Sequence, residues 1–298
     1  MRLETIISAP VPRFVVVHYH IFKNGGSTIE SILEREFDRT FATLHGPDAS
    51  STLDAGHLET FLREHPEIRA VSSHHLRYPK PSIRHTVIFD CCFLRHPLDR
   101  VDSMYWFLRE SDARDELSER ARRQGPREFL RFLLAESPHL LADIQVNQLA
   151  CSGVFTRPAH AGDLDRASEM FCEAAIPGLV EMFDLSLMSA EYFLRPAFPA
   201  LRLEYTRRNA RRVESAGQTR EERLARCWGP DLYQDLARLN QLDLELFDRA
   251  EREIRRRAAL VPGCEQRLAE FKGRCSRLGA GQPASVVEMP VPAGARAR

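Results

Sequence analysis

The sequence predicts an α/β protein, a P-loop-like three-layer fold whose central, mostly parallel sheet is flanked by helices. Two observations carry that expectation. Residues 14–21 and 86–94 are β-branched and aromatic runs without the polar alternation of a half-exposed strand, as in strands covered on both faces. Each runs straight into residues that start a helix, through Gly25-Gly26 in the first case and Pro97 in the second.

In chain order, the first strand is followed by a turn in which Gly25 and Gly26 let the backbone bend sharply and let a ligand approach without meeting a Cβ. The next helix carries Ile29, Ile32, Leu33 and Phe37 on one apolar stripe. Free amides at its start, with the positive end of the macrodipole behind them, favour a bound phosphate. Lys23 adds a charge, and Ser27 and Thr28 add hydroxyls. Alone, the stretch reads equally well as an ordinary strand-turn-helix. It is not a Walker A loop, whose lysine follows the glycines, nor does it hold the Gly-x-Gly-x-x-Gly of dinucleotide folds.

Residues 43–56 read as a loop and 58–64 as a short helix ended before Pro66. Residues 68–73 form a short strand that delivers His74-His75 to a sheet end, where open α/β sheets bind ligands. The strand at 86–94 delivers Arg95, after which Pro97 suits a first helical turn. Arg95, Arg100 and Ser103 could converge on one phosphate, although a capped helix with arginine salt bridges explains that segment by itself. Residues 108–176 show helical spacing, with Phe129, Phe132 and Leu133 read as part of a cleft wall. Periodicity fades from Arg256, so a single domain over 1–275 is expected to precede a disordered tail at 276–298.

Composition narrows the function classes. A chain of 298 residues, 43% hydrophobic and 28% charged, buries a full core. Its net charge of zero gives no overall field for gathering nucleic acid, so any anion site is local. No apolar run reaches the roughly 18 residues of a membrane span, and Glu4 and Pro10 interrupt any leader, so a cytoplasmic protein is expected. Seven cysteines without Cys-x-x-Cys spacing indicate neither a disulfide framework nor zinc. The pairs His18/His20 and His74/His75 have no third ligand at recognisable spacing, so no metal is expected.

Taken together, His20-Ile21-Phe22-Lys23-Asn24-Gly25-Gly26-Ser27-Thr28 and Arg95-His96-Pro97-Leu98-Asp99-Arg100-Val101-Asp102-Ser103 resemble the two donor-binding motifs of carbohydrate sulfotransferases, of the heparan sulfate 2-O/6-O type. Phe22 stands for that family's proline, Asn24 for its threonine and His96 for its aspartate. The stretches 144–153 and 178–187 are also similar, 203–209 more loosely, and 231–255 matches the closing helix; coverage is about residues 14–255. Asp184 is placed as a helix cap.

The resemblance implies 3′-phosphoadenosine-5′-phosphosulfate (PAPS) as co-substrate, adenosine 3′,5′-bisphosphate (PAP) as product, no metal, and a hydroxyl acceptor on a carbohydrate. It assigns Lys23, Asn24, Gly25, Gly26, Ser27 and Thr28 to the 5′-phosphosulfate and Arg95 and Ser103 to the 3′-phosphate. Lys23 also takes a catalytic role, and His74, which follows the small Ser73, is the base in preference to His75. Two rivals stand beside this reading: a nucleotide kinase with a degenerate P-loop, and a silent module that binds PAPS or PAP without chemistry. The acceptor's identity and the oligomeric state are open.

Overall fold

Five strands, β1 (Arg13–Tyr19), β2 (Phe41–Thr43), β3 (Ala70–Ser73), β4 (Thr86–Leu94) and β5 (Ile176–Leu179), form one sheet in the order β2-β3-β1-β4-β5. Every pairing is parallel. The computed structural model describes residues 12–48, 50–153, 157–206 and 218–280. β1 is central, with Val17 paired to Val71 on one side and to Asp90 on the other. The chain leaving β1 serves the β2/β3 side and the chain leaving β4 serves the β5 side. The carboxyl ends of β1 and β4 therefore border the crevice in which open α/β sheets take ligands.

Alternation along β1 separates two cores. Val15, Val17 and Tyr19 pack with α2 (Ala55–Glu64), α6 (Ile144–Ala150), α7 (Ala161–Glu173) and α11 (Gln241–Ala259). Val16 packs on the other face with α1 (Gly26–Phe37), α8 (Phe183–Leu194) and α12 (Cys264–Ala280). Val15, Val16 and Val17 are each at most 1% exposed, and such burial contributes roughly 1.5 to 3 kcal/mol per side chain. The expected apolar stripe on α1 is present: Ile29, Ile32, Leu33 and Phe37 are all buried against the sheet.

A third cluster joins α3 (Pro97–Glu110), α4 (Glu116–Arg123), α5 (Pro126–Glu136), α9 (Arg220–Trp228) and α10 (Pro230–Leu239). Phe129 and Leu133, expected to line a cleft, are fully buried there, with Phe132 packed against the cluster, so these residues are core. The closing helix expected at 231–255 is two helices, broken at Asn240, whose side-chain amide donates to Leu236 O at 2.9 Å. Asp184 is not a cap: it lies in the first turn of α8 and accepts from the Tyr205 hydroxyl at 2.7 Å. Residues 203–206 are irregular, not a strand, and α12 carries helix past 276, where the tail was expected to begin. The remainder of that tail, the lead-in 1–11 and Arg207 to Asn209 lie outside the described residues. Among the described residues no helix is long and apolar enough to cross a membrane, and all seven cysteines are free thiols.

One carboxylate pair, Asp243 and Asp143, ties α11 to the start of α6. Asp243, 0% exposed on α11, accepts the amides of Gln145 at 3.1 Å and Val146 at 2.8 Å and so caps α6 from another helix. Its own amide donates to Asp143 Oδ1 at 2.9 Å. Burial first, and then Asp243, raises the Asp143 carboxyl from 3.8 to about 7. A carboxyl raised by folding holds its proton in the folded state where the unfolded chain has lost it. Its contribution is therefore fully present below about pH 4 and lost as pH rises through about 7. Asp143→Asn keeps the acceptor oxygen, so the variant should melt about 2 to 5 °C above the parent at pH 8 and level with it at pH 4. A parent that melts higher at pH 8 would contradict this.

Candidate active site

The turn after β1 is built from positions with unusual backbone. Lys23 (φ 68°) and Gly25 (φ 76°) are both left-handed, and a Cβ on Gly25 would stand 3.1 Å from the Phe183 ring. Gly26 is required for a different reason: a Cβ there would lie 1.7 Å from His20 Nε2. The glycine pair thus seats a histidine ring as well as turning the chain. α1 starts at Gly26 without a side-chain cap, and the amides of Thr28 and Ile29 turn back to Gly25 O. Helix geometry leaves the amides of Gly26 and Ser27 pointing out of the helix end, with the positive macrodipole behind them.

Asn24 serves the loop itself. It is 1% exposed, its amide nitrogen donates to Phe93 O at 2.9 Å and to Gln145 Oε1 at 2.8 Å, and its backbone amide goes to Ile21 O. Expected as an anion contact, it is a positioning residue.

Gln145 Oε1 also accepts the amide of Arg95 at 2.9 Å, while its Nε2 donates to Arg95 O at 2.9 Å. One buried side chain therefore holds the ends of both strand-to-helix junctions. Arg95 Nη1 reaches back to Lys23 O at 3.1 Å, and its Nε is buried without a partner. Arg100, expected to join Arg95 and Ser103, turns inward instead. It is 1% exposed, its Nε and Nη2 lack partners, and burial lowers it to about 10, with Asp243 opposing. Ser103 stands half-buried two turns into α3. Arg220 and Arg223 of α9 close this end by pairing with Asp99.

The Lys23 ammonium lies over the ring of Phe107, 4.1 Å from its centroid, and 5.6 Å from that of Phe22. The two rings meet edge to face at 5.3 Å. Burial first, then Arg95, pushes Lys23 down to about 8, opposed by Glu110.

His74 and His75 diverge as adjacent residues leaving a strand should. The His74 ring lies on that of His20 at 3.6 Å between centroids, whereas His75 turns away and its Nδ1 accepts from Gly46 N at 2.7 Å. Burial and then His20 push His74 down to about 3, so it is neutral at physiological pH.

The fold thus brings Lys23, the Gly25-Gly26 turn, Arg95 and His74 to one end of the sheet. Gln145, Asp243 and Phe107 carry this arrangement and are not among the candidate residues read from the sequence. Gln145 lies in a stretch matched to the sulfotransferases, its only signal; the other two lie far along the chain from what they touch. No family model matches the chain. It is 25% identical over 246 residues to an uncharacterized protein of Archaeoglobus fulgidus, covering 80% of this chain and 96% of that protein.

Gln145→Ala would take one of two acceptors from the buried Asn24 amide, which keeps Phe93 O, and would remove the partner of both backbone groups of Arg95. It should cost about 3 kcal/mol, or roughly 6 to 10 °C in Tm. A loss under about 2 °C in a thermal melt would show that the two junctions hold without it.

Proposed function

We propose that the chain is a cytoplasmic sulfotransferase that moves a sulfuryl group from PAPS to a carbohydrate hydroxyl. The observation that carries this reading is the Gln145 bridge, which sets a glycine turn with outward amides beside Arg95, with Lys23 between. Orphaned buried donors at the same junction, Arg95 Nε above all, suit an anionic ligand. The amides of Gly26 and Ser27 would receive the 5′-phosphate, and Arg95 with Ser103 the 3′-phosphate. A 3′-phosphate contact separates PAPS from ATP, and so this reading from a kinase.

The reaction is an in-line displacement at sulfur. The acceptor oxygen bonds to sulfur as the bond from sulfur to the phosphate oxygen breaks, and the hydroxyl proton passes to His74. Lys23 would neutralise charge growing on the departing oxygen, leaving its place over Phe107 to do so. Phe22 and Phe107 flank that lysine, and Phe107 is 38% exposed, so the pair offers the apolar face of a sugar ring a surface beside the reacting atoms.

PAP at a hundred times its Kd should stabilise the fold by about 2.7 kcal/mol, while ATP at equal concentration does so weakly; equal shifts would remove the donor assignment. With labelled PAPS and a panel of sugars, His74→Ala should lose at least about a hundredfold in turnover while still binding PAP, and His75→Ala should stay near the parent. Binding of PAP with no transfer to any acceptor would favour the silent module. A dead His75→Ala beside an active His74→Ala would overturn the choice of base.

A further inference from the structure

His18, in β1, and His20, just after it, are two residues apart, so their side chains share the face covered by α1. Ser72 on β3 and Glu30 on α1 meet them there. The Nδ1 of His20 lies 3.0 Å from Glu30 Oε1, and the Ser72 hydroxyl donates to that oxygen at 2.8 Å. His18 Nδ1 lies 2.9 Å from Ser72 Oγ, and the two imidazoles stack at 4.9 Å. One donor atom each of His18, His20 and Glu30 falls within 4.8 Å of the others. His18 is 1% and His20 6% exposed, whereas the Glu30 side chain keeps 26% exposure and so opens a way in. The proposed transfer reaction uses neither His18 nor Glu30.

Two imidazoles and a carboxylate are a donor set that suits zinc. A tetrahedral zinc with ligands at about 2.0 to 2.1 Å keeps its donor atoms about 3.3 Å apart, and the His20–Glu30 pair is already at 3.0 Å.

We propose that His18, His20 and Glu30 bind a divalent transition metal of the zinc type, with the Ser72 hydroxyl beside the carboxylate as its outer partner. The ion would join β1 to α1 across the glycine turn and hold the His20 ring against Gly26. The site does not depend on the sulfuryl-transfer reading.

The test uses the full-length protein, stripped with chelator and titrated with zinc and, separately, with cobalt(II). One equivalent of zinc should bind and raise Tm, and cobalt should give the intense visible bands of a four-coordinate ion. Glu30→Gln, which keeps a hydrogen-bond acceptor, should weaken zinc binding at least tenfold, and His75→Ala should leave it unchanged. If Glu30→Gln is misfolded by circular dichroism, His18→Gln replaces it with the same expectation. Failure to take up zinc, or equal uptake by the folded ligand variants, would show that the cluster is only a hydrogen-bonded chain through Ser72. The PAP-induced shift is measured on stripped and loaded samples alike, so loss of the donor reading and loss of the metal site are told apart.

Discussion

A single buried amide side chain conditions much of this structure. Gln145 accepts from Asn24 and from the amide of Arg95 and donates to Arg95 O, so one residue fixes the turn after β1 relative to the chain leaving β4. Its position depends on Asp243, which accepts two amides in the first turn of the helix that carries Gln145. The order runs from a helix near the carboxyl end of the described chain, through α6, to the crevice between the two strands. Buried polar groups joined this way specify one geometry because any partial arrangement leaves donors unpaired in a low-dielectric interior.

The two faces of the sheet divide the chemistry. On the α1 face, β1 and the residue that follows it give up apolar side chains at His18 and His20, a local departure from the pattern that otherwise runs through Val16. Sequences that break their own core rule usually do so for a site, and the stability lost must come from elsewhere. Here it comes from the fully buried valines of β1 and from a glycine at position 26 that admits the ring. Lys23 is likewise held in a left-handed conformation over an aromatic ring, so the backbone and the ammonium are both constrained before any ligand is present.

Much of the frame was legible in the sequence because it rests on local signals. Uninterrupted β-branched runs mark β1 and β4, Pro97 marks the first turn of α3, and the stripe from Ile29 to Phe37 marks α1. What escaped was non-local. Nothing near Glu30 announces that it meets His18 and His20, and spacing alone argued against a third ligand. Arg100 reads as an anion contact by its position three residues before Ser103, yet α3 turns it toward Asp243, which lies far along the chain. Phe129 and Leu133 have the spacing of any buried helix face, so only the third helical cluster distinguishes core from cleft wall. Asn24 looked like a ligand contact because its neighbours do, and its commitment to Phe93 and Gln145 depends on sheet order.

The central claim is that the two junctions tied by Gln145 form one site for a nucleotide bearing both a 5′- and a 3′-phosphate. A crystal structure with PAP bound tests it most directly. The account predicts the 5′-phosphate on the amides of Gly26 and Ser27 and the 3′-phosphate on Arg95 and Ser103. PAP lodged instead along α1 in the cleft of about 250 Å³ lined by Ile32, Arg35 and Tyr205, with Arg95 untouched, would contradict it.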